Sequence, residues 1–229
     1  MENELNISFY GYLFGLENLW FTETLRNIWI ISGFMIAVAL LIRFNMSKWD
    51  PNNPTGAQNV VETVIEIFHN YVRSVMGDRY AFFGNYFFTV FFLILLSNLA
   101  GLTVFMRNPT ADITFTFAFS LSTFAIIHFS GMFIGKGSYW KGFVTPSPIM
   151  LPLNVIGDLA PAISLSFRLF GNIVGGFIII TLLYNVAPVF LRVGLPVVIH
   201  GYFDLFSGAL QAFIFLTLSM VFIRNKLPD

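Results

Sequence analysis

The chain has no cysteine, which excludes disulfides and thiolate metal sites. Charge is also scarce: 10% of its 229 residues are Asp, Glu, Lys or Arg, against about 25% in ordinary soluble domains. The 12 basic and 12 acidic residues cancel, so no net field attracts nucleic acid or an acidic partner, and no nucleic-acid partner is expected. Soluble-enzyme motifs are missing as well: there is no phosphate loop, no GxSxG and no HExxH. The three histidines, His69, His128 and His200, are scattered, and a lone histidine on an apolar span such as His128 reads as a packed or hydrogen-bonded residue. No metal site and no cofactor is expected. No repeat and no low-complexity segment divides the chain, and the stretch MENELNISFYGYLFG has no Lys or Arg before Arg26, the opposite of a signal peptide's basic start. That segment is expected to stay on the mature protein.

What is present is hydrophobic length. Apolar residues make up 56% of the chain, and the mean hydropathy is +0.76. A helix needs about 20 mostly apolar residues to cross the hydrocarbon core of a bilayer, and five stretches qualify: 24–42, 80–106, 113–135, 158–186 and 189–223. The expected fold is all-α, a single polytopic membrane domain over 1–229 with five transmembrane helices, the last two long and paired.

A sixth helix is expected at 56–76, on the membrane surface or against a neighbouring subunit. Val60, Val61, Val64, Ile65, Phe68, Val72, Val75 and Met76 recur there at helical spacing, while Glu62, Thr63, Glu66, Asn70 and Arg73 fill the other side. Thr55 with Gln58 three positions on has the pattern of a capping box, after the turn-forming DPNNP. Between the third and fourth spans, the proline-rich segment 142–154 is expected to break the chain's helical run.

Five spans put the termini on opposite sides. Arg43, Lys48, Arg73, Arg79, Lys136, Lys141, Arg224 and Lys226 fall in one set of loops, and Arg26, Arg107 and Arg192 in the other. The positive-inside rule then places the N-terminus outside and the C-terminus in the cytoplasm.

The fourth and fifth spans carry the chemistry. Arg168 precedes 23 residues, 169–191, without one charged side chain. An arginine at the centre of a spanning helix costs about 2.5–3.5 kcal/mol on insertion scales. Ser164, Arg168 and Asn172 are spaced by four, and Gly175 and Gly176 follow on nearly the same azimuth. In the fifth span His200, Asp204, Ser207, Gly208 and Gln211 form a second stripe, with Asp204 and Gln211 about 10 Å apart along the axis. Arg168 and Asp204 have two readings: a buried salt bridge with each other, or separate roles. The glycines argue against the pair, because a bare backbone beside a charge lets a helix of another chain approach closely.

SLSFRLFGNIVGG at 164–176, LQAFIF at 210–215 and PTAD at 109–112 together resemble the a subunit of the F-type ATP synthase membrane sector, over 60–223. The resemblance implies an ion-translocating stator with no ATP chemistry of its own. Its partners would be a ring of c subunits, a b-subunit stalk, membrane lipid and a proton or sodium ion, in a bacterial plasma membrane. It makes Arg168 the arginine that faces the ring between two aqueous half-channels. Two positions depart from the family pattern: Phe177 stands where many members carry an acid, and Asp204 where many carry histidine or glutamate. The outer path therefore rests on Asp204 with Ser207, Gln211 and His200, and Ser164 and Asn172 belong to the arginine's stripe. Asp158, about 15 Å from Arg168 toward the cytoplasm, lies near the inner path or is a solvated acid at a helix N-terminus. An autonomous secondary transporter is the alternative, and the lack of an internal repeat speaks against it.

Overall fold

The computed structural model describes residues 22–47, 49–50, 56–103, 106–144, 147–186 and 188–227. Every regular element among them is helical. Helix α1 runs Glu23–Met46, opened by Thr22, whose hydroxyl accepts the Leu25 N–H at 3.2 Å. Helix α2 is Gly56–Met76, and α3, Gly84–Leu99, follows a 3₁₀ stretch at Asp78–Phe83. Helix α4, Ile113–Ser130, is capped by the Asp112 carboxylate, which accepts the Thr114 N–H at 2.9 Å, and it runs into a π turn at Gly131–Gly135. Helices α5, Lys136–Val144, and α6, Leu151–Val186, come next. The last span is α7, Val189–His200, a π turn at Gly201–Ser207, and α8, Gly208–Lys226. Among the described residues, five stretches are long and apolar enough to cross a membrane: Glu23–Met46, Asp78–Leu102, Ile113–Gly135, Pro148–Val186 and Gly194–Lys226.

The core lies among α3, α4, α6 and α8. Toward one end Val72, Met76, Tyr80, Phe87, Met220 and Ile223 pack together, and toward the other Val90, Ile94, Leu165, Leu169, Ala212 and Phe215 do so. Helix α1 stands at the margin with only Asn27 and Ile31 buried among its residues, and Trp29, Phe34, Leu41 and Phe44 are exposed. Such apolar faces suit lipid, where helices satisfy every backbone group internally.

Three expectations need correction. The fourth span begins at Leu151 and not at Asp158, so Asp158 lies two turns inside a 36-residue helix and is not a helix-end acid. The segment 142–154 interrupts the helical run as its prolines imply: α5 ends at Val144, and Ser147 is extended before a 3₁₀ turn at Pro148–Met150 that leads into α6. Pro152 falls in the first turn of α6, where no N–H is needed, which is why it does not break the helix. The fifth span is not one continuous α-helix, because the π turn divides it, and the second ends its helical course at Leu102.

The second half of α2 packs as the periodicity implies, with Val72 and Met76 buried and the Tyr71 hydroxyl 2.7 Å from that of Thr217 in α8. Its first half leaves Val60, Val64 and Ile65 exposed. Thr55 lies outside the described residues. Gln58, its expected partner, is buried and donates to Glu62 Oε1 at 2.9 Å and to the Asp50 carbonyl at 3.3 Å.

Candidate functional site

Helix α6 turns Leu165, Leu169, Ile173, Gly176 and Ile180 inward, at steps of three and four that keep them on one face. The opposite face carries Ser164, Arg168 and Gly171, all exposed. Among the described residues Arg168 has neither a hydrogen-bond partner nor an ion-pair partner. Among the described residues, nothing beyond their own helix backbone lies within 4 Å of where a Cβ would stand on Gly171 or Gly175. The face around the arginine is therefore bare and open to the outside of the molecule.

The two adjacent glycines, read as one patch from spacing, face different ways. Gly175 is open, whereas a Cβ on Gly176 would come to 2.8 Å from Cβ of Phe203 in the π turn. Gly176 thus serves contact within the chain, and Gly175 leaves room outside it.

Asp204 does not pair with Arg168. It is 7% exposed, and its Oδ2 lies 2.7 Å from Nδ1 of His200, one turn back on the same strand of helix. Ser207, at the far end of the π turn, donates from Oγ to Oδ1 of Asn172 at 2.5 Å and ties the last span to α6 one turn beyond Arg168. Gln211 is buried one turn further. Three buried polar atoms in this region lack a protein partner: Asn172 Nδ2, Gln211 Nε2 and Asn98 Oδ1 of α3. Unpaired buried polar groups call for water.

A second polar region lies at the other end of α6. Lys226, in the last turn of α8, donates from Nζ to both oxygens of Asp158, at 2.8 and 2.6 Å. The pair borders a cavity of about 280 Å³ whose wall includes Ser120, Thr123, His128 and Asn225. Ser120 Oγ and Thr123 Oγ1 are buried there without a protein partner. His128 Nδ1 lies 2.5 Å from the Tyr139 hydroxyl. Burial, with the Asp158 carboxylate adding to it, raises the Tyr139 phenol above its ordinary value, so the hydroxyl remains neutral.

Of the residues singled out from the sequence, the structure brings Asp204 to His200 and Ser207 to Asn172, and sets Gln211 beyond them. Asp158 sits apart, and Ser164 shares the open face with Arg168. Sequence reasoning missed Lys226, Ser120, Thr123 and Asn98. The first three carried no signal beyond ordinary loop charge and helix hydroxyls, but Asn98, next to Ser97 in a charge-free Phe-rich span, was legible as a buried amide in search of partners.

The chain matches the ATP synthase A chain family over residues 27–224. It is 33% identical to the ATP synthase subunit a of Limosilactobacillus reuteri, an alignment that covers 95% of this chain and 96% of the relative. It is 32% identical to that of Moorella thermoacetica, over 89% of each. It is 31% identical to the sodium ion specific ATP synthase subunit a of Propionigenium modestum, over 89% of this chain and 75% of the relative. The chain belongs to the ATP synthase A chain family, and its five long apolar helices make it a multi-pass membrane protein.

Proposed function

We propose that this subunit conducts ions along two half-channels that end on either side of Arg168, and that Arg168 faces a ring of c subunits. The observation that carries the reading is the position of Arg168: exposed, unpaired among the described residues, on a bare helix face, with a polar region toward each end of the same helix. Asp158 lies ten residues before it and Asn172 four after it, which is about 15 Å one way and about 6 Å the other. A fixed guanidinium between the two regions repels a cation that tries to pass straight from one to the other. It favours the ionised form of a carboxylate brought in front of it from outside the chain. An ion must then leave the outer region on such a carboxylate and reach the inner one by movement of its carrier, which is rotation of the ring.

Asp204 and His200, with Ser207, Asn172 and Gln211, form the outer wall, and Asp158 with Ser120, Thr123 and Lys226 the inner one. The orientation follows from the grouping of charge. Arg73, Arg79, Arg224 and Lys226 gather at one end, where Arg79 and Arg224 both lie over the Tyr80 ring. Arg26 and Arg107 share Glu23 at the other. The first end is cytoplasmic, which puts the N-terminus outside, in a bacterial plasma membrane. The b-subunit stalk is the further partner.

The test is ATP-driven ion uptake into liposomes by the purified complex, with and without sodium, for the native chain and for Arg168→Ala. Coupled uptake lost in an assembled Arg168→Ala complex is the expected result. Uptake at the native rate would defeat the reading. An autonomous transporter is not favoured, since family and relatives alike are ATP synthase subunits.

A further inference from the structure

The π turn at Gly201–Ser207 decides where Asp204 points. In a π turn each N–H reaches back five residues instead of four, and here the Gly208 N–H is shared between the Phe203 carbonyl, five residues back, and the Leu205 carbonyl, three back. Counted back from Gly208, the residue one turn below is then Phe203, and Phe203 is the side chain that fills the hollow over Gly176. Wound as a plain α-helix from the same Gly208, the chain would present Asp204 to Gly176 instead. One residue of register is about 100° of rotation. The carboxylate would press on the bare backbone of α6, and the chain would lose the orientation that now buries Asp204 beside His200.

A π turn is rare on its own account and persists where surrounding contacts hold it. One contact comes from a helix distant in sequence. Asn98 of α3, 1% exposed, donates from Nδ2 to the Gly208 carbonyl at 2.8 Å, in a fully buried bond. Gly208 makes this approach possible: a Cβ there would meet Cβ of Asn98 at 3.0 Å. Two glycines on the two sides of the turn thus admit two side chains, Phe203 over Gly176 and Asn98 over Gly208.

We propose that Asn98 is a positioning residue that latches the C-terminal end of the π turn and so sets the direction of Asp204. Asn98 touches no ion in this role; it acts through the winding of the last span. Its importance for transport rests on the reading of Asp204 as the outer carboxylate, but the winding itself can be read separately.

Because the chain has no cysteine, paired substitutions report the register directly. In membranes holding the whole complex, Gly176→Cys with Phe203→Cys is expected to form a disulfide under mild oxidation, and Gly176→Cys with Asp204→Cys to form little. Adding Asn98→Leu, similar in size but without a donor, should lower the first yield and raise the second, changing their ratio about fivefold, the effect of one buried hydrogen bond. Asn98→Ser, with a shorter donor, should change the ratio in the same direction but less, and it decides the matter if the leucine variant fails to reach the membrane. An unchanged ratio in the variant that does insert overturns the latch, whatever happens to transport. A changed ratio with coupled transport intact upholds the latch and removes Asp204 from the outer path.

Discussion

Lys226 in the last turn of α8 and Asp158 in α6 are 68 residues apart in sequence, yet Nζ donates to both carboxylate oxygens at 2.8 and 2.6 Å. Their side chains are 28% and 21% exposed, so the bond is only partly screened by solvent. The pair borders the 280 Å³ cavity and leaves its carboxylate neutralised. Asp158→Asn is expected to slow coupled uptake by roughly tenfold, since a hydrogen bond to a charged group carries about that much and the variant also strands the ammonium. Lys226→Gln should slow it less, because the carboxylate stays to attract the ion. Equal rates for Asp158→Asn and the native complex would remove this pair from the ion path.

Arg168→Ala should abolish ion-coupled ATP synthesis while the subunit remains in the complex, because Arg168 makes no hydrogen bond or ion pair among the described residues of its own chain. Arg168→Lys should not restore full coupling. An ammonium is compact, more strongly hydrated, and able to lose its proton when desolvated, whereas the guanidinium keeps its charge. The measurement is ATP synthesis driven by an imposed ion gradient, at matched complex content.

Asp204→Asn should slow transport severely, Asp204→Glu should keep much of it, and Gln211→Leu should fall between. The first removes the negative charge beside His200, the second preserves it, and the third takes away one of the unpaired amides that call for water. Uptake by Asp204→Asn at the native rate would leave this residue a packing group.

The two neighbouring glycines should separate folding from assembly. Gly176→Ala forces its Cβ against Phe203 at 2.8 Å, within the chain, and core overpacking of this kind costs about 1–3 kcal/mol. Less of the subunit should then be found in membranes. A Cβ on Gly175 would meet no other element among the described residues, so with Gly175→Leu the subunit should insert normally while copurification of the c subunits or coupled transport drops. A Gly175→Leu complex that assembles and transports like the native one would show that no helix packs against this face.

Topology is checked with single cysteines at Thr103, Ser74 and Asn225, all exposed positions. An impermeant thiol reagent applied to intact cells is expected to label Thr103→Cys alone. Labelling of Asn225→Cys without permeabilisation would reverse the assigned orientation.

Hydropathy and charge were enough to set the architecture: spans of about 20 apolar residues must become helices in lipid, because no other open structure satisfies their backbone groups there. The cost of a bilayer charge likewise marked Arg168, Asp204 and Asp158 as positions of interest before any coordinates. Helical periodicity, however, assumes 3.6 residues per turn throughout, and the π turn at Gly201–Ser207 breaks that assumption in the stretch that holds Asp204. Spacing by four also grouped Gly175 with Gly176 on one patch, although neighbours on a helix stand about 100° apart, and packing gave one to the outside and the other to Phe203. Partners far apart in sequence were beyond reach for the same kind of reason: that Lys226 would answer Asp158, His200 and not Arg168 answer Asp204, and Asn98 hold Gly208 depends on which helices lie side by side. Polar spacing along one helix records what each residue needs; only the tertiary packing decides which neighbour supplies it, because a buried polar group takes the partner within hydrogen-bond reach.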